Sequence, residues 1–296
     1  MTVPGRAPRL RSASDYERFG APLDLPLLGD GERFLVALDV DGTVMTEDGF
    51  VSAELRRAVD LLRADGHHVV LATGRPLVAL LPVAAELGLV GTPLVAANGS
   101  ATATLEADGS FRLLDAVTFR PERALAVLLS RMPTTLFAVE EVGVGYWVSA
   151  DFPAGTVMGR QTVVDLALLD GVETTRICAV DVDEEDPRLE AELALLGLAV
   201  AHFTIAGARW FDVAPHGVTK ASALEALRVS LGVRADATVA VGDGGNDVEM
   251  LAWAAQGVAM GHAGAEVVAV ADRVTGPITD DGAVPVLHDV LAAGRA

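Results

Sequence analysis

A continuous apolar run, Phe34-Leu35-Val36-Ala37-Leu38, stops abruptly at Asp39-Val40-Asp41-Gly42-Thr43. An unbroken apolar run of this length, with no polar alternation, fits a strand covered on both faces, the kind found at the centre of a parallel sheet. Parallel neighbours need crossover helices, and the following sequence supplies them. Ser52 can cap a helix that carries Leu55, Val59 and Leu62 on one face, Gly66 stops it, and His68-Val69-Val70-Leu71-Ala72 reads as the next strand. Leu77 to Leu87 fits a second crossover helix, Leu94 to Ala97 a third strand and Asn98-Gly99 a turn. This is the opening of a doubly wound α/β sheet.

From about residue 116 the rhythm changes. Helical stretches (Arg123 to Ser130, Leu189 to Leu196) mix with strand-like runs such as Thr135 to Val139 and Thr175 to Val180, as in a separate α+β unit. The α/β rhythm resumes with a helix over Lys220 to Ser230, the strand Thr238-Val239-Ala240-Val241 and a capped helix from Asn246 onward. The expected fold is therefore an α/β Rossmann-like core with a doubly wound parallel sheet, residues 31–115 and 209–296, interrupted by an α+β cap over 116–208 and preceded by a loose tail over 1–30. Trp210 and Phe211 are expected to pack where the insert rejoins the core.

Brändén's rule places ligand sites at the carboxyl ends of such strands, where Asp39, Asp41 and Gly42 stand. A calcium EF-hand loop is excluded, because Thr43 occupies a position that needs a third Asp or Asn. The second strand-ending cluster is Gly242-Asp243-Gly244-Gly245-Asn246-Asp247; if both strands share one sheet, Asp39, Asp41, Asp243 and Asp247 converge. At an effective dielectric of about 20, like charges 4 Å apart repel by roughly 4 kcal/mol, so the cluster must take up protons or a cation. Hard oxygen ligands beside a phosphate select Mg2+. A dinucleotide fingerprint fails because Asp247 replaces its third glycine, and no Walker-type loop is present.

Composition narrows the partners. A formal net charge of -19 repels nucleic acid and anionic membrane surfaces, while a small phosphorylated metabolite responds to a local cationic site. The most apolar stretch, Leu77 to Leu89, is broken by Pro82 and Glu86 and is too short to span a bilayer. The tail, with Arg6, Arg9, Arg11 and Arg18, lacks the apolar core of a secretory signal. Cys178 is the only cysteine, which rules out an intrachain disulfide or a multi-cysteine metal site and suits a buried position in a cytoplasmic protein. The histidines at 67, 68, 202, 216, 262 and 288 lack zinc-ligand spacing.

Asp39 to Thr43, Ala72-Thr73-Gly74-Arg75, Lys220, and Gly242 to Asp247 match, in order, the four motifs of the haloacid dehalogenase-like phosphatases, which this chain resembles over nearly everything after the tail. The large insert, Asn98-Gly99 and Asp212-Val213-Ala214-Pro215-His216-Gly217-Val218-Thr219-Lys220 resemble the Cof-type subfamily with an α/β cap; Ala221 departs from the glycine often found after that lysine. The resemblance implies that Asp39 attacks phosphorus to form an aspartyl-phosphate, and that Asp41 is the general acid and base, its backbone carbonyl joining the metal shell. Gly42 permits the turn, Thr73 is either a phosphoryl donor or a structural residue, and Gly74 lets backbone approach the phosphate. Lys220 neutralises charge on the phosphoryl group and Asp39, and Asp243 is a second metal carboxylate. Asp247 binds the metal or orients its waters, and Asn246 holds phosphate or supports the loop. Arg75 suits either phosphate or an acidic neighbour.

The implied activity is hydrolysis of a small phosphate monoester, with sugar phosphates the prime class, by a monomer or homodimer. A phosphomutase would use the same core motifs and need a second phosphate site, for which Arg120, Arg123, Arg131, Arg160, Arg176, Arg188 and Arg209 are candidates unless they are simply surface residues. A non-catalytic metabolite sensor is a third reading, opposed by the intact Asp39, Asp41, Lys220 and Asp243.

Overall fold

The computed structural model describes residues 23–152, 156–169, 171–180, 187–205 and 208–295. Among them, fourteen strands form two sheets. The strands are β1 (Leu35–Leu38), β2 (His68–Ala72), β3 (Pro93–Ala96), β4 (Ala101–Leu105), β5 (Phe111–Ala116), β6 (Leu136–Glu141), β7 (Gly145–Val148), β8 (Arg160–Val163), β9 (Ile177–Val180), β10 (Leu198–Ile205), β11 (Ala208–Pro215), β12 (Thr238–Gly242), β13 (Gln256–Ala259) and β14 (Arg273–Val274). The helices are α1 (Ala53–Ala64), α2 (Leu77–Glu86), α3 (Glu122–Arg131), α4 (Pro187–Ala194), α5 (Lys220–Ser230), α6 (Val248–Trp253), α7 (Ala265–Val270) and α8 (Ala283–Gly294).

The larger sheet runs β14-β13-β12-β1-β2-β3-β4-β5, parallel from β14 to β3. Every residue of β1 is buried, as its unbroken apolar run predicts. Helix α1 starts where Ser52 accepts a hydrogen bond from the Leu55 amide, buries Leu55, Ala58, Val59 and Leu62, and lies against α8. The parallel sheet is extended by β4 and β5, which pair antiparallel and which the sequence reading did not anticipate. The Ala-Thr-Ala-Thr-Leu run of β4 alternates alanine with threonine, yet all five residues are buried, so the alternation separates no solvent face from a core face.

The smaller sheet runs β10-β11-β9-β6-β7-β8. One face packs on α3 and α4 through Phe137, Val139, Ile177, Ala179, Phe211 and Val213. The opposite face carries Ala138, Tyr146, Val148, Cys178, Val180 and Trp210. Cys178 is buried and free, as expected.

Two expected boundaries move. The return to the core at residue 209 is corrected, because β11 pairs with β10 and β9 in the smaller sheet through Trp210↔Val180 and Val213↔Ile177; the chain leaves this sheet only after Pro215. Trp210 and Phe211 accordingly pack on opposite faces of that sheet, Trp210 beside Phe152, and not at a junction. The expected tail over 1–30 is also shortened: Leu23, Leu25 and Leu28 pack against the main core and the Leu23 amide donates to Asp289, while residues 1–22 lie outside the described residues.

Candidate active site

Strand register assembles the site. Leu38 of β1 lies level with Val241 of β12 and Leu71 of β2, so Asp39, Ala72-Thr73 and Gly242-Asp243 emerge together from the carboxyl edge of the sheet. The Asp39 amide donates to the Val241 carbonyl at 3.0 Å, which ties the two strand ends together. From the first residue of α5, Lys220 enters from the side, fully buried, with its Nζ 2.6 Å from Asp39 Oδ1 and 2.6 Å from Asp247 Oδ1. Thr219 and Ser222 form a capping box that fixes this helix start.

The other oxygen of Asp247 accepts from the amides of Asp243 and Gly244 at 3.0 and 2.9 Å, so this carboxylate organises the loop that carries Asp243. Asp243 in turn accepts from the Thr43 hydroxyl at 3.0 Å, and His262 Nε2 lies 3.4 Å from its other oxygen. Gly42 has φ of +82° and its Cα faces Asp243 so closely that a Cβ would stand 2.4 Å from Oδ2; glycine is required there on both counts.

One carboxylate oxygen from each of Asp39, Asp243 and Asp247 lies within 4.8 Å of the others. Against these acids the cluster sets the single ammonium of Lys220. Burial pushes the Asp39 carboxyl up to about 8; Lys220 opposes the shift, and Asp247 and Asp243 reinforce it. Asp243 is raised as well, chiefly by burial, against the pull of the Thr43 hydrogen bond. Burial works against the charge of Lys220, but Asp39 and Asp247 overcome it and hold its pKa above the ordinary value. An all-oxygen donor set with excess negative charge fits a hard divalent cation such as magnesium.

The expected convergence of four carboxylates is corrected to three. Asp41 directs its carboxylate away from the cluster to Arg75, which forks onto it with Nε to Oδ2 at 2.8 Å and Nη2 to Oδ1 at 2.5 Å. The turn explains this: Gly42 N–H donates to Met45 O, and Val44 and Met45 N–H both donate to Val40 O, so the chain doubles back over residues 40–45 and carries Asp41 in that turn, past the strand end that holds Asp39. Arg75 therefore takes the second of its two expected roles, pairing with an acid.

Beside Asp39 lies a small polar cradle. Gly74 approaches Asn98 and Asn246, whose side chains would stand 3.1 and 3.3 Å from a Cβ at that position, and Asn246 Nδ2 donates to Asn98 Oδ1 at 2.8 Å. In sequence, Asn98-Gly99 signals a turn; the left-handed backbone of Asn98 (φ 54°, ψ 27°) fits that turn, and its side-chain amide meets Asn246 in the site. Thr73 is buried, and its hydroxyl accepts from the Arg75 amide at 3.1 Å, which leaves the hydroxyl proton for another acceptor. Sequence reasoning missed a further group. Arg176, expected either at a second phosphate site or on the surface, is buried with only 6% of its surface exposed, and its Nη1 donates to the Gly74 carbonyl at 2.9 Å.

An open cleft of about 390 Å³ adjoins Arg75, between Met45 to Gly49, one face of α2, and Met158-Gly159 of the smaller sheet's loops. Among the described residues, no helix is long and apolar enough to cross a membrane.

Residues 36–287 match the family model described as haloacid dehalogenase-like hydrolase. The chain is 27% identical over 267 residues to the 5-amino-6-(5-phospho-D-ribitylamino)uracil phosphatase YitU of Bacillus subtilis, covering 88% of this chain and 98% of that protein. It is 29% identical over 240 residues to an HMP-PP phosphatase of Cronobacter sakazakii, covering 79% of this chain and 86% of the relative. Among solved structures, BT1666 of Bacteroides thetaiotaomicron, described as one of the phosphatases of the haloalkanoate (HAD) superfamily, superposes with a TM-score of 0.70 at 28% identity, covering 89% of this chain and 98% of that one.

Proposed function

The chain belongs to the haloacid dehalogenase-like hydrolase family, and on that premise we propose that it is a magnesium-dependent phosphatase that hydrolyses a small phosphate monoester, a sugar phosphate or a similar metabolite. The observation that carries this reading is the buried arrangement around Asp39: a lysine 2.6 Å away, two further carboxylates within 4.8 Å, and the Gly74-Asn98-Asn246 cradle alongside.

In this reading, Asp39 attacks phosphorus as the ester P–O bond breaks, giving an aspartyl-phosphate and an alkoxide that takes a proton from Asp41. Asp41 then accepts a proton from the water that attacks the intermediate, and Asp39 and phosphate are released. Lys220 neutralises charge that builds on the phosphoryl oxygens and on Asp39. Thr73, whose hydroxyl proton is left over from its bond with Arg75, donates to a phosphoryl oxygen, as does the Asn246 amide, while Gly74 lets the backbone come close. The Arg75 fork suits the ionised carboxylate and holds Asp41 beside the cleft; it must open for Asp41 to take up the proton that it gives to the leaving group. Asp39, Asp243, Asp247 and the Asp41 carbonyl would hold the magnesium ion, which supplies positive charge to offset the phosphate and the carboxylates. Asp247, with both oxygens already engaged, shapes the loop as much as it binds.

The smaller sheet acts as a cap over the larger sheet's carboxyl edge, with specificity set by the residues it contributes to the cleft. The names of YitU and the HMP-PP phosphatase point to small phosphorylated metabolites as the substrate class, and a cleft of about 390 Å³ has room for one. A mutase would need uncommitted cations in the cap. Arg160 is paired with Glu141, Arg131 with Glu192, and Arg176 is buried, which removes these three from a second phosphate site.

The test is phosphate release from a panel of phosphorylated metabolites, with and without Mg2+, for the intact protein and Asp39→Asn. Release that needs Mg2+ and vanishes in the variant supports the covalent route. Undiminished release from Asp39→Asn removes the nucleophile from its role.

A further inference from the structure

Arg176 precedes β9 and lies on the smaller sheet's helix-free face. Alternation along three strands places Glu140 of β6, Tyr146 of β7 and Asp212 of β11 on that same face, each buried. Every nitrogen of the guanidinium has a partner nearby: Nε forms an ion pair with Glu140 Oε2 at 2.9 Å without hydrogen-bond alignment, Nη2 donates to the Tyr146 hydroxyl at 2.7 Å, and Nη1 donates both to Asp212 Oδ2 at 3.0 Å and to the Gly74 carbonyl at 2.9 Å. Glu140 is held in turn by the Thr175 hydroxyl at 3.0 Å. The cation is thus built into the smaller sheet by two carboxylates and a phenol, and a single bond reaches out to the larger one.

That bond falls at a sensitive place. The Gly74 carbonyl and the Arg75 amide belong to one planar peptide unit. Its oxygen is held by Arg176 and its N–H by the Thr73 hydroxyl. The flanking carbonyls are secured within the larger sheet, Thr73 O by the Asn98 amide and Arg75 O by the Ala97 amide. A rotation of the 74–75 peptide would therefore turn the Thr73 hydroxyl, displace the Arg75 fork from Asp41 and alter the cradle at Gly74 together.

We propose that Arg176 is a positioning residue: by gripping the Gly74 carbonyl from the smaller sheet, it sets the phosphate-binding loop, so that the loop takes its working geometry only while the two sheets are docked. This rests on the phosphatase reading above. A cluster of one buried cation and two buried carboxylates is a poor source of stability, since apolar replacements of equal volume are often neutral or better. Two carboxylates for one guanidinium leave Glu140 Oε1 and Asp212 Oδ1 buried without a hydrogen-bond partner, a further cost that packing alone does not explain.

The experiment compares turnover of an aryl phosphate with inhibition by orthovanadate, which needs the phosphoryl site and no leaving-group contacts. The proteins are the full chain with Mg2+, Arg176→Lys, Arg176→Met and Tyr146→Phe, each checked for cooperative melting. Lysine keeps the charge that Glu140 and Asp212 require but cannot serve Gly74, Tyr146 and Asp212 at once. Expected are a fall in kcat/KM of about tenfold to a hundredfold in both Arg176 variants, the scale for a misplaced reacting group, and a parallel rise in the vanadate inhibition constant. Tyr146→Phe, which leaves the Gly74 bond intact, stays within about twofold of the parent on this scale.

A vanadate constant that holds steady while kcat/KM falls overturns the proposal, because Arg176 would then act on the leaving group. Unchanged kinetics in a folded Arg176→Lys also overturns it, and so does loss of folding in both Arg176 variants, which would make the residue one of stability alone. A parent protein that neither turns over the ester nor binds vanadate sinks the phosphatase reading itself, and the proposal with it.

Discussion

Replacing Lys220 with methionine tests whether one ammonium holds the carboxylate cluster together. Each of its two 2.6 Å contacts, to Asp39 and Asp247, is worth about 6 kcal/mol at an effective dielectric of about 20 whenever the acid is ionised. Stripping water from a buried ion costs several kcal/mol, which brings the loss on breaking such a pair to roughly 3–5 kcal/mol. For a chain of this size about 1 kcal/mol moves the melting temperature by about 2–4 °C, so Lys220→Met in EDTA should melt roughly 6–20 °C below the parent. The gap should narrow in Mg2+, whose charge replaces the lost ammonium. It should widen as pH rises from 7 to 9. Without a bound cation, Asp39 already holds its proton up to about 8 in the folded protein, against an ordinary 3.8, and would hold it higher without Lys220. Near neutrality the variant can relieve its excess charge by keeping that proton, and alkaline conditions remove the relief. Fluorescence-detected melting provides the readout. A variant that melts within about 2 °C of the parent in EDTA at both pH values would refute the reasoning.

Gly42→Ala should lower phosphate release and cost about 1–3 kcal/mol of stability, because alanine must adopt φ of +82° and drive its Cβ into Asp243; activity and urea unfolding check both. His67 and His68 have pKa values lowered below 6.5, first by burial and then, for both, by Arg33, while Asp65 partly opposes the shift at His67. The unfolded chain therefore takes up protons first as pH falls: the contribution is fully present above 6.5 and is lost as pH drops below it. Since His67 Nδ1 also accepts from the Phe34 amide at 3.2 Å, melting temperature should drop from pH 7.5 to 5.5, and His67→Asn, which offers an acceptor that does not titrate, should flatten the slope. An equal slope in both proteins would assign the effect to other groups.

The parts of the site that the sequence disclosed are those written locally. Asp39 and Asp243 each follow an apolar run that can only be a buried strand, and parallel register brings two such strand ends to one level without further information. Lys220 opens a helix whose cap, Thr219, is its neighbour. What stayed hidden depends on partners distant in sequence. Arg176 looks like any surface arginine until Glu140 and Asp212, on two other strands, are brought beside it. Asp41 reads as a fourth converging acid because nothing in its own turn reveals that Arg75 will claim it. The extent of the smaller sheet was misjudged at 209 because Trp210, Phe211 and Val213 suit either sheet, and only the pairing with β9 and β10 decides.

The order of the larger sheet also governs how the chain can come into being. The central strand β1 pairs on one side with β2, a short distance along the chain, and on the other with β12, whose partner residues begin at Thr238. During synthesis one flank of Leu35-Val36-Ala37-Leu38 must therefore wait, unpaired, while the whole smaller sheet emerges and folds. The nascent chain carries an open apolar edge of the kind that recruits other strands, which makes early capture by a chaperone, or a fast-forming cover from α1 and α2, a condition of yield. The same delay keeps Asp39 harmless: its lysine lies 181 residues downstream, so no translation intermediate short of α5 can assemble the constellation around it.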